Sequence, residues 1–176
     1  MKELEELALA ISQMNSASDH VASIIGRPAE RGHIGEFIAS RVFNIRLHES
    51  AAEKGSDGVF LEGNLAGRSV NVKFYGKYEG LLDIREDAAP DEFLVLTGPK
   101  GTSSSSSGQV RPICVEHVFL IPGTEALADA QSRNVSIGVA TSFPASFWNE
   151  HEIYPMSRSK ELQLNQDQIR LLKLFA

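Results

Sequence analysis

Asp57 stands in Gly55-Ser56-Asp57-Gly58-Val59-Phe60 at the head of a short apolar run. Fourteen residues after the Val59-Phe60 pair begins, Lys73 lies inside Val70-Asn71-Val72-Lys73-Phe74-Tyr75, a segment that alternates like a half-buried strand. An acid and a lysine would then share a hairpin. A carboxylate that holds a divalent cation, beside an ammonium that steadies an attacking water or a developing phosphate charge, is the core of metal-dependent phosphodiester hydrolysis. A second acid, Glu36, follows Gly35 on a predicted helix upstream.

Each residue also has an ordinary use. Ser-Asp-Gly is common turn punctuation, and aspartate readily bonds its own backbone. Lys73 suits the solvated face of an edge strand. Glu36 suits an exposed helix face, bonded to Ser40 or paired with a base. Their order along the chain is what joins them: a helix with Gly-Glu, a strand opened by Ser-Asp-Gly, a strand with Asn-x-Lys, then an apolar strand.

Those elements are read from periodicity and turn chemistry. Leu4, Leu7, Ala8, Ile11 and Met14 predict an amphipathic helix with an acidic outer face, followed by a brief helix around Asp19 to Ile25. Gly26-Arg27-Pro28 breaks the pattern. From Ala29 to about Phe43, Ile34, Phe37, Ile38 and Val42 form one stripe, and His33, Glu36 and Ser40 lie on another. Gly58 to Leu61 and Ser69 to Tyr75 predict a hairpin joined through residues 62–68. Val70, Val72 and Phe74 point one way; Asn71, Lys73 and Tyr75 point the other, with Lys77 extending what reads as an exposed face. Phe93 to Leu96 reads as a central strand covered on both sides.

Further on, Ser103 to Ser107 reads as a loop tip, and Val110 to Ile121 as one or two strands interrupted by Pro112. A helix is expected at Thr124 to Ser132 and a strand at Val135 to Phe143, while Pro144 to Pro155 shows no clear period. Asn165 and Gln168 form a capping-box pattern that opens a final helix. The expected organisation is a single domain over 1–176, with N-terminal helices at 1–26, a core at about 29–143 and a C-terminal helix at about 165–175.

At this point the chain resembles the PD-(D/E)XK superfamily, the restriction-endonuclease-like nucleases, over roughly Ala29 to Thr97 and more loosely to about Val139. The resemblance implies an α/β (α+β) fold, a central mixed sheet flanked by helices in the order helix, three strands, helix, strand. It also implies that Glu36 and Asp57 ligate Mg²⁺, or Mn²⁺ in its place, that position 71 supplies a further ligand, and that Lys73 orients the hydroxide. Asn71 departs from the usual acid. Its amide oxygen can still touch a metal, but one negative charge is lost. Glu62, reaching across the hairpin, is the alternative acid. The implied activity is metal-dependent endonucleolytic hydrolysis of DNA, with RNA as an alternative substrate, in a restriction or other defence role. A homodimer is the simplest way to cut both strands. The alternatives are a catalytically inactive nuclease-like domain that binds nucleic acid or a protein partner, and a small interaction domain that works through its N-terminal apolar stripe.

Composition narrows the classes. With 42% hydrophobic and 23% charged residues the chain has globular proportions. A net charge of −6 argues against a uniformly basic nucleic-acid coat, although Arg41, Arg46, Lys54, Arg68, Lys73 and Lys77 outnumber Glu49, Glu53, Asp57 and Glu62 between positions 41 and 77. No apolar stretch approaches the roughly 20 residues needed to cross a bilayer, so no membrane role is expected. A single cysteine, Cys114, points to a reducing cytoplasm and is expected to be a small buried residue. Gly98-Pro99-Lys100-Gly101-Thr102 lacks the order of a phosphate-binding loop. His20, His33, His48, His117 and His151 lack zinc spacing and read as surface or capping residues. No Gly-x-Ser-x-Gly elbow or dinucleotide glycine fingerprint occurs.

Overall fold

The computed structural model describes residues 2–49, 55–100 and 112–176. Helix α1 runs from Lys2 to Ile25 without the break expected before Asp19. Serines near the expected break are accommodated within the helix: Ser16 Oγ donates to the Ser12 carbonyl and Ser23 Oγ to that of His20. Gly26, at φ 71°, ends it. No residue of α1 is buried. The apolar stripe seen in the sequence therefore does not feed the core.

Helix α2 (Arg31–Val42) leads into β1 (Ile45–Leu47), β2 (Gly58–Phe60), a 3-10 turn at Gly63–Leu65 and β3 (Ser69–Tyr75). After β4 (Leu81–Leu82) come β5 (Glu92–Thr97), β6 (His117–Pro122), α3 (Gly123–Ser132), β7 (Thr141–Ser142), α4 (Ala145–Glu150), β8 (Glu152–Tyr154), α5 (Gln166–Leu172) and a second 3-10 turn at Lys173–Phe175. The fold is mixed α/β. Six strands form one sheet in the order β1-β2-β3-β5-β6-β8, and β4 pairs β7 in a small second sheet. Only the β3–β5 pairing in the large sheet is parallel.

Two apolar layers cover the large sheet. Val70, Val72 and Phe74 of β3 join Leu94 and Leu96 of β5 and Ile38, Ala39 and Val42 of α2 on one face. Phe93, Val95, Phe119 and Ile121 face the other way, against Ala126 and Ala130 of α3 and Phe147 and Trp148 of α4. β5 is buried along its whole length between β3 and β6, which is why it reads as an unbroken apolar run. Helix α5 carries the expected reciprocal cap, with the Asn165 side chain accepting from Gln168 N–H and the Gln168 side chain from Asn165 N–H.

Several sequence expectations change. The connection from β3 to β5, residues 76–91, holds β4 and turns rather than the helix that the nuclease resemblance implies. The strand expected at Val135 to Phe143 shrinks to Thr141–Ser142, because Asn134 and Ala140 both take positive φ. Of Val110 to Ile121, only the part from His117 is strand, and residues 110–111 lie outside the described residues. The segment without a clear period contains α4 and β8. The serine run 103–107, Lys54 and Glu53 also lie outside the described residues. Cys114 is half-buried rather than buried, and burial raises its thiol above the usual range.

Candidate functional site

Gly35 fixes how α2 meets the sheet. A Cβ at this position would lie 2.6 Å from Phe74 Cβ, so the helix sits directly on β3. Glu36, the next residue, is thereby held beside the β2–β3 hairpin.

Asp57 sits where that hairpin opens. Its N–H donates to the Val70 carbonyl at 2.8 Å, and its own carbonyl accepts from His48 N–H at 2.9 Å. Regular β2–β3 pairing reaches Gly58 opposite Val70 and stops. The next outward-facing amide of β3, Val72 N–H, donates to Asp57 Oδ2 at 2.7 Å. The carboxylate thus stands in for a missing strand carbonyl. Asp57 Oδ1 has no hydrogen-bond partner among the described residues.

Glu36 and Asp57 line one cavity of about 410 Å³, together with Arg27, Leu47, His48, Glu49 and Ser56. This volume is in the range of small-molecule sites. Arg27 donates to Glu36 Oε2, and His48 Nε2 lies 3.1 Å from Ser56 Oγ. Burial pushes the Asp57 carboxyl above the usual carboxylate range. The Val72 N–H opposes that rise, Glu36 adds to it, and the positive charge of Lys73 and His48 offsets it. Two carboxylates and a lysine therefore act on one another electrostatically.

Their directions differ. Phe74 and its alternate partners on β3 face α2, so Asn71 and Lys73 lie on the opposite face of the strand, in register with Phe93 and Val95. Neither residue lines the Asp57 cavity. Glu36 and Lys73 thus approach Asp57 from opposite sides of β3. Lys73 is half-buried and has no ion-pair partner among the described residues. Asn71 Oδ1 is buried without a hydrogen-bond partner.

A divalent cation suits part of this donor set. Oxygen donors favour Mg²⁺ or Mn²⁺ over softer metals, and Mg²⁺ sites use one or two carboxylates supplemented by water and phosphate oxygens. Asp57 Oδ1 and the second oxygen of Glu36 supply such donors, whereas Asn71 Oδ1, buried on the opposite face of β3, lies outside their cavity. No group of three His, Cys, Asp or Glu side chains with metal-holding geometry occurs among the described residues.

Tyr75 and Lys77 do not extend an exposed face. Tyr75 is half-buried, its hydroxyl accepts from Asp83 N–H at 3.0 Å, and burial drives its phenol far upward. Lys77, beyond the end of β3, is only 9% exposed. Glu62 is exposed and lines a different cavity, with Phe43 and Asn165. His151 is buried, with Nδ1 2.7 Å from the Phe147 carbonyl and Nε2 3.0 Å from Glu125.

Sequence reading did not include Arg27, His48 and Ser56 in the site. Arg27 follows a helix-ending glycine, and His48 follows a three-residue strand too short to show alternation. Only the cross-strand pairing to Asp57 reveals His48. Comparisons with protein-family models and with curated proteins return no match.

Proposed function

We propose that the protein is a metal-dependent endonuclease of the restriction-endonuclease-like kind, hydrolysing phosphodiester bonds of DNA. The observation that carries this reading is the placement of Asp57. A half-buried carboxylate, held at the opening of a hairpin, shares a cavity with Glu36 and lies within electrostatic reach of Lys73. A carboxylate whose charge is disfavoured by burial and by a second acid is one that a cation would relieve.

Asp57 Oδ1 and Glu36 would hold Mg²⁺ or Mn²⁺, while Asn71, on the opposite face of β3, does not line their cavity. The bound metal would supply charge stabilisation at the scissile phosphate. Lys73, which does not line the Asp57 cavity, would act on that site through its charge. Arg27, now on Glu36, supplies a guanidinium that matches a phosphate oxygen pair. Val72 N–H keeps the Asp57 carboxylate from turning away.

A second reading, a catalytically inactive nuclease-like domain that binds nucleic acid, is favoured by one observation. The position at which that family carries an acid holds an amide, Asn71, with its oxygen orphaned. A cleavage screen across DNA and RNA substrates with Mg²⁺ and Mn²⁺ separates the two. The enzyme reading expects cleavage that Lys73→Ala and Asp57→Asn abolish in folded protein. Cleavage that survives both substitutions refutes it. Tight binding without cleavage under every metal supports the inactive reading.

A further inference from the structure

Helix α1 is about 36 Å long at the usual helical rise and leaves its apolar side chains in solvent. Leu4 is 70% exposed, Leu7 54%, Ile11 44% and Met14 62%. Their spacing alternates three and four residues, and it continues through Ser18, Val21 and Ile25 to the end of the helix. Seven successive seam positions with one polar member are the pattern of a coiled-coil strand. The fold covers only the end of this seam, where α1 meets the rest of the molecule and Val21, Ala22 and Ile25 become half-buried, and it leaves Leu4, Leu7, Ile11 and Met14 uncovered.

We propose that α1 is a dimerisation helix whose partner is α1 of a second copy of this chain. The charges beside the seam select the partner. Coiled coils choose unlike partners through charged residues flanking the seam, but here those flanks hold Ala8, Ala10, Asn15, Ala17, Ala22 and Ile24, with Glu3 their only charge. Glu5, Glu6 and Asp19 stand farther round the helix. Two identical helices therefore meet without like charges opposed along most of their length, even though the chain as a whole is acidic. Alanine flanks also permit close approach. At roughly 60–120 Å² per aliphatic side chain buried, the exposed parts of two seams and their flanks cover on the order of 1,000 Å², the size that separates specific interfaces from incidental contacts. Pairing through α1 is independent of whether the Asp57 cavity is hydrolytic.

The full chain and two variants, Leu7→Glu/Ile11→Glu and Ser16→Glu, test this by light scattering coupled to size exclusion over a range of concentrations. Ser16 lies on α1 away from the seam. The natural sequence is expected to run at twice the protomer mass, as is Ser16→Glu, while the seam variant falls to half that mass. Both altered side chains are exposed in the protomer, so folding is checked through the near-ultraviolet circular dichroism of the single tryptophan, Trp148, which is 1% exposed in the core. A natural chain that is monomeric throughout overturns the proposal. So does a seam variant that stays dimeric, or a Ser16→Glu variant that dissociates equally. If the seam variant loses its Trp148 signal, Met14→Glu replaces it and is read by the same masses.

Discussion

Replacing Asp57 by Asn and by Ala separates its backbone-bonding role from its charge. In Asp57→Ala the buried Val72 N–H loses its 2.7 Å acceptor. An orphaned buried donor costs about 1–3 kcal/mol. For a chain of this size each kcal/mol moves the melting temperature by about 2–4 °C, so a fall of about 2–12 °C is expected. Asp57→Asn keeps an oxygen for Val72 and removes the charge that burial and Glu36 disfavour. Its melting temperature at neutral pH should equal or exceed that of the natural protein. The sign of the pH dependence follows from linkage. A carboxyl raised in the folded state costs stability above its folded pKa, and the cost fades as pH falls toward the unfolded value. The advantage of Asp57→Asn should therefore shrink on acidification from neutral pH to about pH 4. A divalent cation adds a second readout. At a concentration one hundred times its Kd, Mg²⁺ would stabilise the natural protein by about 2.7 kcal/mol, a rise of roughly 5–11 °C, and neither variant should respond. Differential scanning calorimetry over pH, with and without Mg²⁺ or Mn²⁺, measures all of this. Equal damage from Asn and Ala, independent of pH, together with an unchanged metal response, refutes the claim that the Asp57 charge is held for a cation.

Three other substitutions probe the same region and its support. Arg27→Gln removes the partner of Glu36 from a pair whose arginine is about half-exposed and whose glutamate is 17% exposed, so a loss of up to about 3 kcal/mol is expected; calorimetric titration should show a changed cation affinity, and an unchanged one places Glu36 outside any metal site. Gly35→Ala puts a methyl group 2.6 Å from Phe74 Cβ, an overpacking cost of about 1–3 kcal/mol that urea denaturation should detect. Arg68→Ala strands Glu92, which is 1% exposed and bonded to Arg68 at 2.6 Å. Since Arg68 itself is largely solvated, a loss of up to about 3 kcal/mol is expected, and Glu92→Gln should be tolerated better; the reverse order in denaturation would contradict the assignment of Glu92 as the buried member of that pair.

Long or strongly marked elements were legible in the sequence. α2 follows from its 3.6-residue stripe, β3 from strict alternation, β5 from its apolar run and α5 from Asn165 and Gln168. β1, α4 and β8 span three, six and three residues, too few to establish a period, and Trp148 is buried by aromatic packing from elsewhere in the chain, against Tyr78 and Phe119. Alternation on β3 showed that Lys73 and Val72 face opposite ways, but not which face α2 would cover. That depends on Gly35 meeting Phe74. Hence the order Glu36, Asp57, Asn71, Lys73 could be read, while their division between the two faces of β3 could not. The Arg27 and His48 contributions arise from contacts between segments whose local patterns are weak.

Gln168 donates from its side chain to the Val42 carbonyl at the end of α2, 126 residues earlier in the chain. At 5–20 residues per second, a ribosome takes roughly 6–25 s to travel from one to the other. Throughout that interval α2 has been made but lacks the helix that completes its layer, and the aliphatic side chains of β3 await part of their cover. The nascent protein is consequently most exposed to misassembly, and most in need of chaperone shelter, before residue 168 has emerged.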